Sequence, residues 1–230
     1  MKQQKAFTLA EVLITLGIIG VVAAMTIPTL IKNYEKRTTL TRLKEAYSTL
    51  SQVMLLAQAE YGDAQYWNSA TGQHRQNNEE ATTEFCEKYI IPYLSGAKVY
   101  GWQSLKQSGI EGYVALNGNA IANGNLTADS YNYTIELKNS QILFLAYDND
   151  DDYIMTNIIL YVDTNGQKKP NTFGKDLFVF EYKLKEGKFL PYLYTYSHER
   201  LKNSCTKDAE WDSIVCAALI MKDNWQINYW

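Results

Sequence analysis

Phe7-Thr8-Leu9-Ala10-Glu11-Val12-Leu13-Ile14 opens an apolar stretch that runs to Ile31 with a single charged side chain, Glu11. As a helix it reaches roughly 37 Å, at about 1.5 Å per residue, against about 30 Å for the hydrocarbon core of a bilayer. A short basic leader, Met1-Lys2-Gln3-Gln4-Lys5-Ala6, precedes it. Three readings compete. One is a cleaved secretory signal, cut near the small residues Ala23-Ala24; another is a plain single-pass anchor. The third places the cut between Ala6 and Phe7 and keeps the apolar helix. Glu11 separates them. A carboxylate inside an apolar stretch costs about 2–3 kcal/mol on insertion scales, less near an end, and calls for a partner. Neither a signal nor a bare anchor supplies one.

Lys5-Ala6-Phe7-Thr8-Leu9-Ala10-Glu11-Val12-Leu13-Ile14 resembles the prepilin signature of type IV pilins and type II secretion pseudopilins. The resemblance is strongest over residues 5–31. It implies that a membrane prepilin peptidase cuts between Ala6 and Phe7 and N-methylates Phe7. It also implies that Glu11 neutralises the amine of a neighbouring subunit during assembly, which gives the isolated charge its partner. The family usually has Gly before the cut; Ala6 stands there in this chain, also a small residue. Lysines and arginine flank both ends of the stretch (Lys2 and Lys5; Lys32, Lys36 and Arg37), so charge leaves the orientation open. The resemblance implies a cytoplasmic leader and an extracytoplasmic body.

Beyond Ile31 the composition turns polar while a helical period persists. Leu40, Leu43, Tyr47, Leu50, Met54, Ala57 and Tyr61 recur at spacings of three and four, which is one stripe of a helix packed on its own domain. Pro28 lies between the two halves, where it removes a hydrogen bond and kinks the helix. The chain is thus expected to comprise a leader (1–6), a transmembrane and assembly helix (7–31), the amphipathic half of that helix (32–61) and a globular body (62–230).

The body reads as α+β. Residues 62–84 are turn-rich, and Glu84–Leu94 predicts a short helix ended near Pro92. Tyr131–Leu137 and Gln141–Tyr147 predict a hairpin about Lys138-Asn139-Ser140. Tyr153–Val162, Leu177–Leu184 and Lys188–Tyr194 add strands, and Trp225–Trp230 reads as a last strand. We expect an antiparallel sheet of about four to six strands, one face covered by the helix stripe. That layout, a long N-terminal helix on an antiparallel sheet, is pilin-like.

Composition narrows the function. With 22 Lys+Arg against 25 Asp+Glu, the chain has no basic footprint for nucleic acid. Loss of Lys2 and Lys5 with the leader makes the remainder more acidic still. The mean hydropathy of −0.31 averages an apolar helix with a polar body. No phosphate-binding glycine loop, His-Glu-x-x-His or Gly-x-Ser-x-Gly is present, so no enzyme is expected. His74 and His198 stand alone and no Cys-x-x-Cys occurs, so neither a metal cluster nor another cofactor is expected. Asp163-Thr164-Asn165-Gly166 supplies the positive φ angles of a tight turn. It is also similar to the start of a calcium loop, with Asp163 and Asn165 as ligands, but lacks the acidic ligand at EF-hand spacing. Asp148-Asn149-Asp150-Asp151-Asp152 is a second oxygen-rich loop, read as a solvated turn. The 18 tyrosines (among them Tyr131, Tyr133, Tyr147, Tyr161 and Tyr182) fall mostly at strand positions, as core packing predicts.

Cys205 and Cys216 are similar to the C-terminal disulfide loop of many pilins, which implies that they pair and leave Cys86 as a small buried thiol. Spacing alone leaves Cys86 as an alternative partner for either. The function expected is that of a structural subunit of a type IV pilus or type II secretion pseudopilus. Its partners are the prepilin peptidase, other subunits, the assembly platform and its ATPase. It resides in the bacterial inner membrane and then in a periplasmic or extracellular filament. The alternative is a minor or tip pilin acting as an adhesin or DNA-uptake binding module.

Overall fold

The apolar stretch and the amphipathic stripe form one continuous helix, α1 (Leu9–Tyr61), in a computed structural model that describes residues 8–67, 79–121, 126–146 and 157–230. Helical geometry continues through Pro28. The chain divides into two compact units, residues 1–38 and 39–230. In the first, the apolar side chains of α1 are uncovered, Leu13, Ile14, Ile18 and Met25 among them. Its length and composition suffice to cross a membrane.

In the second unit the stripe meets a core. Leu43, Ala46, Leu50, Val53, Met54 and Ala57 are buried, with Leu40 and Tyr47 packed beside them. Their target is a six-stranded antiparallel sheet in simple consecutive order: β1 (Lys98–Ser104), β2 (Tyr131–Glu136), β3 (Ile142–Ala146), β4 (Asn157–Asp163), β5 (Leu177–Lys183) and β6 (Lys188–Pro191). The fold is α+β, as expected.

Strand alternation splits the sheet's side chains between two cores. Leu143, Leu145, Leu160, Val162, Phe178 and Phe180 face the core that holds α1 and α2 (Glu79–Tyr89). Ile142, Phe144, Ile159, Tyr161, Leu177 and Val179 face a second core. Helices α3 (His198–Ser204) and α4 (Cys216–Lys222) and part of residues 105–126 complete that second core. The sheet is therefore covered on both faces, not on one. The near-continuous apolar run Leu177-Phe178-Val179-Phe180 follows from this, since each successive side chain finds its own core.

Three elements differ from expectation. β1 was not expected: Gly101, at φ 76°, sits at a register shift between Val99 and Gly101, and this edge strand mixes polar and aromatic residues without a clear period. Trp225–Trp230 is not a strand. Asn224 and Trp225 both adopt left-handed backbone (φ 53° and 61°) where α4 ends, which is incompatible with extended strand geometry at that point. The terminus is tied down instead by Tyr229 Oη and Trp230 Nε1, which both donate to the Gly174 carbonyl oxygen. The short helix predicted from Glu84 starts earlier, at Glu79, and a 3₁₀ turn at Ile91–Tyr93 carries Pro92. Among the tyrosines, Tyr133, Tyr161 and Tyr182 are buried, Tyr131 is exposed and Tyr147 lies outside the described residues.

Candidate functional site

The start of α1 is built by Thr8 and Glu11. Thr8 Oγ1 accepts from the Glu11 N–H at 3.3 Å, while Glu11 Oε2 accepts from the Thr8 N–H at 2.8 Å and from its hydroxyl at 2.9 Å. This is a capping box: Thr8 caps the helix and Glu11, three residues on, reaches back to satisfy the cap's own amide. The carboxylate expected to serve a neighbouring subunit is thus already engaged within its own chain. Both groups lie after the expected cut, so the box is retained when residues 1–6 are removed. The cut itself, between Ala6 and Phe7, lies outside the described residues.

Asp163 and Asn165 sit at the end of β4, where Asp163 organises a turn. Its Oδ1 accepts from the Asn165 and Gly166 N–H groups at 3.0 and 2.8 Å, and its Oδ2 accepts the Tyr113 hydroxyl at 2.7 Å. Gly166 adopts φ 71° as the turn requires, whereas Asn165 is not left-handed. A Cβ at Gly166 would collide with the Ser140 carbonyl oxygen. Sequence reasoning missed the partner of this turn, Asp176. It accepts from the Asn171 and Thr172 amides and from Asn165 Nδ2 at 3.0 Å. Burial, then the neighbouring Asp176 charge, pushes the Asp163 carboxyl well up. Burial pushes Asp176 up to about 6, against the lowering effect of the amides it accepts from. Every one of these contacts directs a carboxylate oxygen at an N–H or O–H donor, which is turn chemistry. Among the described residues, no group of three or more His, Cys, Asp or Glu is placed to hold a metal ion. Lys175-Asp176 reads in sequence as an ordinary solvated loop, so nothing there signals the pair. The Asp148–Asp152 loop and His74 lie outside the described residues.

Cys205 and Cys216 form a disulfide with Cα atoms 5.4 Å apart, joining the end of α3 to the first residue of α4. Cys86 is free and buried, its thiol pushed well up by desolvation. Gly174 (φ 73°) packs on this bridge: a Cβ there would stand 3.0 Å from Cys216 Sγ.

α3, the end of α4 and the C-terminal segment border a surface depression of about 650 Å³, broadly open to solvent. Two lysines, Lys202 and Lys222, line it with three carboxamides, Asn224, Gln226 and Asn228. His198 Nε2 and Asp223 Oδ1 pair across it at 2.6 Å. His198, which stands alone in sequence, gains this partner from 25 residues away.

Comparison with known proteins bears on both parts of the chain. A prokaryotic N-terminal methylation motif matches residues 1–27, which contain Ala6, Phe7 and Glu11. This is the prepilin-type signature. It supports a substrate of prepilin peptidase, and with the apolar start of α1 it fits membrane anchoring. No curated protein and no solved structure matches the chain. A second model, described as a family of unknown function (DUF6613), matches residues 29–229, and the chain belongs to that family.

Proposed function

We propose that the mature chain is a structural subunit that polymerises through α1 into a type IV pilus or type II secretion pseudopilus. The observation that carries this reading is Glu11, the single charge in a helix otherwise apolar from Phe7 to Ile31, placed within a methylation motif. Removal of residues 1–6 exposes the Phe7 amine. The uncovered apolar side chains of residues 9–31 hold the subunit in the bilayer until neighbouring helices replace the lipid. Glu11 then pairs with the Phe7 amine of the next subunit. The capping box supports this role by holding the carboxylate near the helix start, one oxygen already oriented, so that less side-chain freedom is lost on docking. The hydrogen bond that Pro28 cannot donate leaves the helix a soft point at which to adjust during transfer from membrane to filament. The assembly platform and its ATPase supply the work, and the body of the subunit lies outside the cytoplasm.

The test is Glu11→Val in the host membrane. Insertion should be retained or improved, because a membrane charge is lost. Filament incorporation, read by cross-linking between subunits, should fall by at least about tenfold, the equivalent of one charge-assisted contact of about 1.5–3 kcal/mol. Normal incorporation would remove the role given to Glu11. A second reading, a minor subunit at the filament tip with a binding function, draws on the open depression between α3 and the C-terminus. Copy number per filament separates the two.

A further inference from the structure

The depression bordered by α3, the end of α4 and the C-terminal segment is broadly open and carries an unusual concentration of cationic and carboxamide groups. Its size, about 650 Å³, falls within the roughly 300–1,000 Å³ of small-molecule sites. Such sites are mostly apolar, with a few polar groups that fix orientation. This one is ringed by charged and carboxamide groups, while the carbon stems of the same side chains make up more of its surface than their polar atoms do. Lys202 and Lys222 bring two positive charges against the single negative charge of Asp223. His198 is paired to that aspartate, so the depression is net positive whether the imidazole is neutral or protonated. This holds in a chain whose overall balance is acidic.

Lys222 is also pre-set. Its ammonium donates to the Tyr196 carbonyl oxygen at 2.6 Å and lies 5.0 Å from the centre of the Tyr194 ring. Holding the chain this way reduces the rotamer entropy that binding would otherwise cost. The Cys205–Cys216 disulfide ties α3, which carries His198 and Lys202, to α4, which ends at Lys222. Both charged walls therefore stand on covalently linked helices. Asn224, Gln226 and Asn228 each offer a paired donor and acceptor, the complement of neighbouring hydroxyl groups. Arg200, the nearby fork-shaped donor suited to phosphate, is stacked on the Tyr196 ring at 3.7 Å.

We propose that this depression binds a polyhydroxylated carboxylate, namely an acidic saccharide. Lys202 and Lys222 meet the carboxylate and the three carboxamides meet the hydroxyls. The site is independent of the assembly role: its failure leaves the subunit reading intact, and loss of assembly leaves the site intact.

Calorimetric titration of the full chain in detergent micelles tests it, with trigalacturonate as the acidic probe, maltotriose as the neutral one and inorganic phosphate as the bare anion. Trigalacturonate should bind with a Kd between about 1 μM and 1 mM, and maltotriose and phosphate each at least about tenfold more weakly. Lys202→Gln, an exposed change that leaves the fold alone, should weaken trigalacturonate about tenfold, and Lys222→Gln by at least as much. Absence of trigalacturonate binding, equal binding of maltotriose or phosphate, or unchanged affinity in Lys202→Gln would overturn the proposal.

Discussion

Thr8 and Glu11 show how one carboxylate can serve two ends in sequence. Its Oε2 satisfies the amide at the start of α1, and in the proposed filament the same carboxylate would also meet an amine from a second chain. Thr8→Val removes the hydroxyl of the cap, and losses of this kind cost about 0.5–2 kcal/mol. Amide exchange at Leu9–Val12 in micelles should accelerate accordingly, by about 2- to 30-fold, while exchange in the body stays the same. Asp176 offers a second residue-level test. Its carboxyl is pushed up to about 6 by burial, so the folded chain retains a proton that the unfolded chain releases near the usual aspartate value. The associated stability is fully present below about pH 4 and is lost as pH rises through about 6. The Tm of the body should therefore gain a rising contribution on acidification from pH 7 to 5, and Asp176→Asn should flatten that part of the profile. An unchanged profile in the variant would show that Asp176 is not the proton holder.

At the scale of elements, the long helix is held by one stripe. Leu50 is fully buried between α1 and the sheet, so Leu50→Ala should cost about 2–5 kcal/mol in chemical unfolding of the body. Leu55→Ala, on a residue left 62% exposed, should stay within about 0.5 kcal/mol. The disulfide links two seven-residue helices, each too short to be stable alone. Cys205→Ser with Cys216→Ser should lower stability by about 2–4 kcal/mol. Gly174→Ala should also destabilise, through both its left-handed backbone and its contact with Cys216. These elements differ in how far sequence foretells them. The α1 stripe carries its period openly, and strands β2 to β6 show as short apolar runs bounded by turn residues. β1 hides behind a glycine bulge, and α3 and α4 are held by tertiary contacts and a bridge rather than by any strong period of their own. The end of the chain was misread because Trp225-Gln226-Ile227 has strand propensity that two left-handed residues override.

At the scale of the whole molecule, the chain joins a helix made for lipid or for other helices to a body with a sheet sealed on both faces. The sealing accounts for the apolar fraction of the body, while the apolar residues at the start of α1 stay uncovered. The N-terminal methylation motif was legible because its residues lie side by side in sequence and include a costly lone charge in an apolar helix. The Asp163–Asp176 pair and the His198–Asp223 depression were not, since each unites residues far apart in sequence whose local surroundings look like ordinary solvated loops. The second unit should fold without the first, as residues 39–230 contain both cores. Mass spectrometry of the mature N-terminus in the host membrane decides whether the chain is processed as a prepilin-type subunit. N-methylated Phe7 should be the first residue. An intact Met1, or a terminus near Met25, would contradict it.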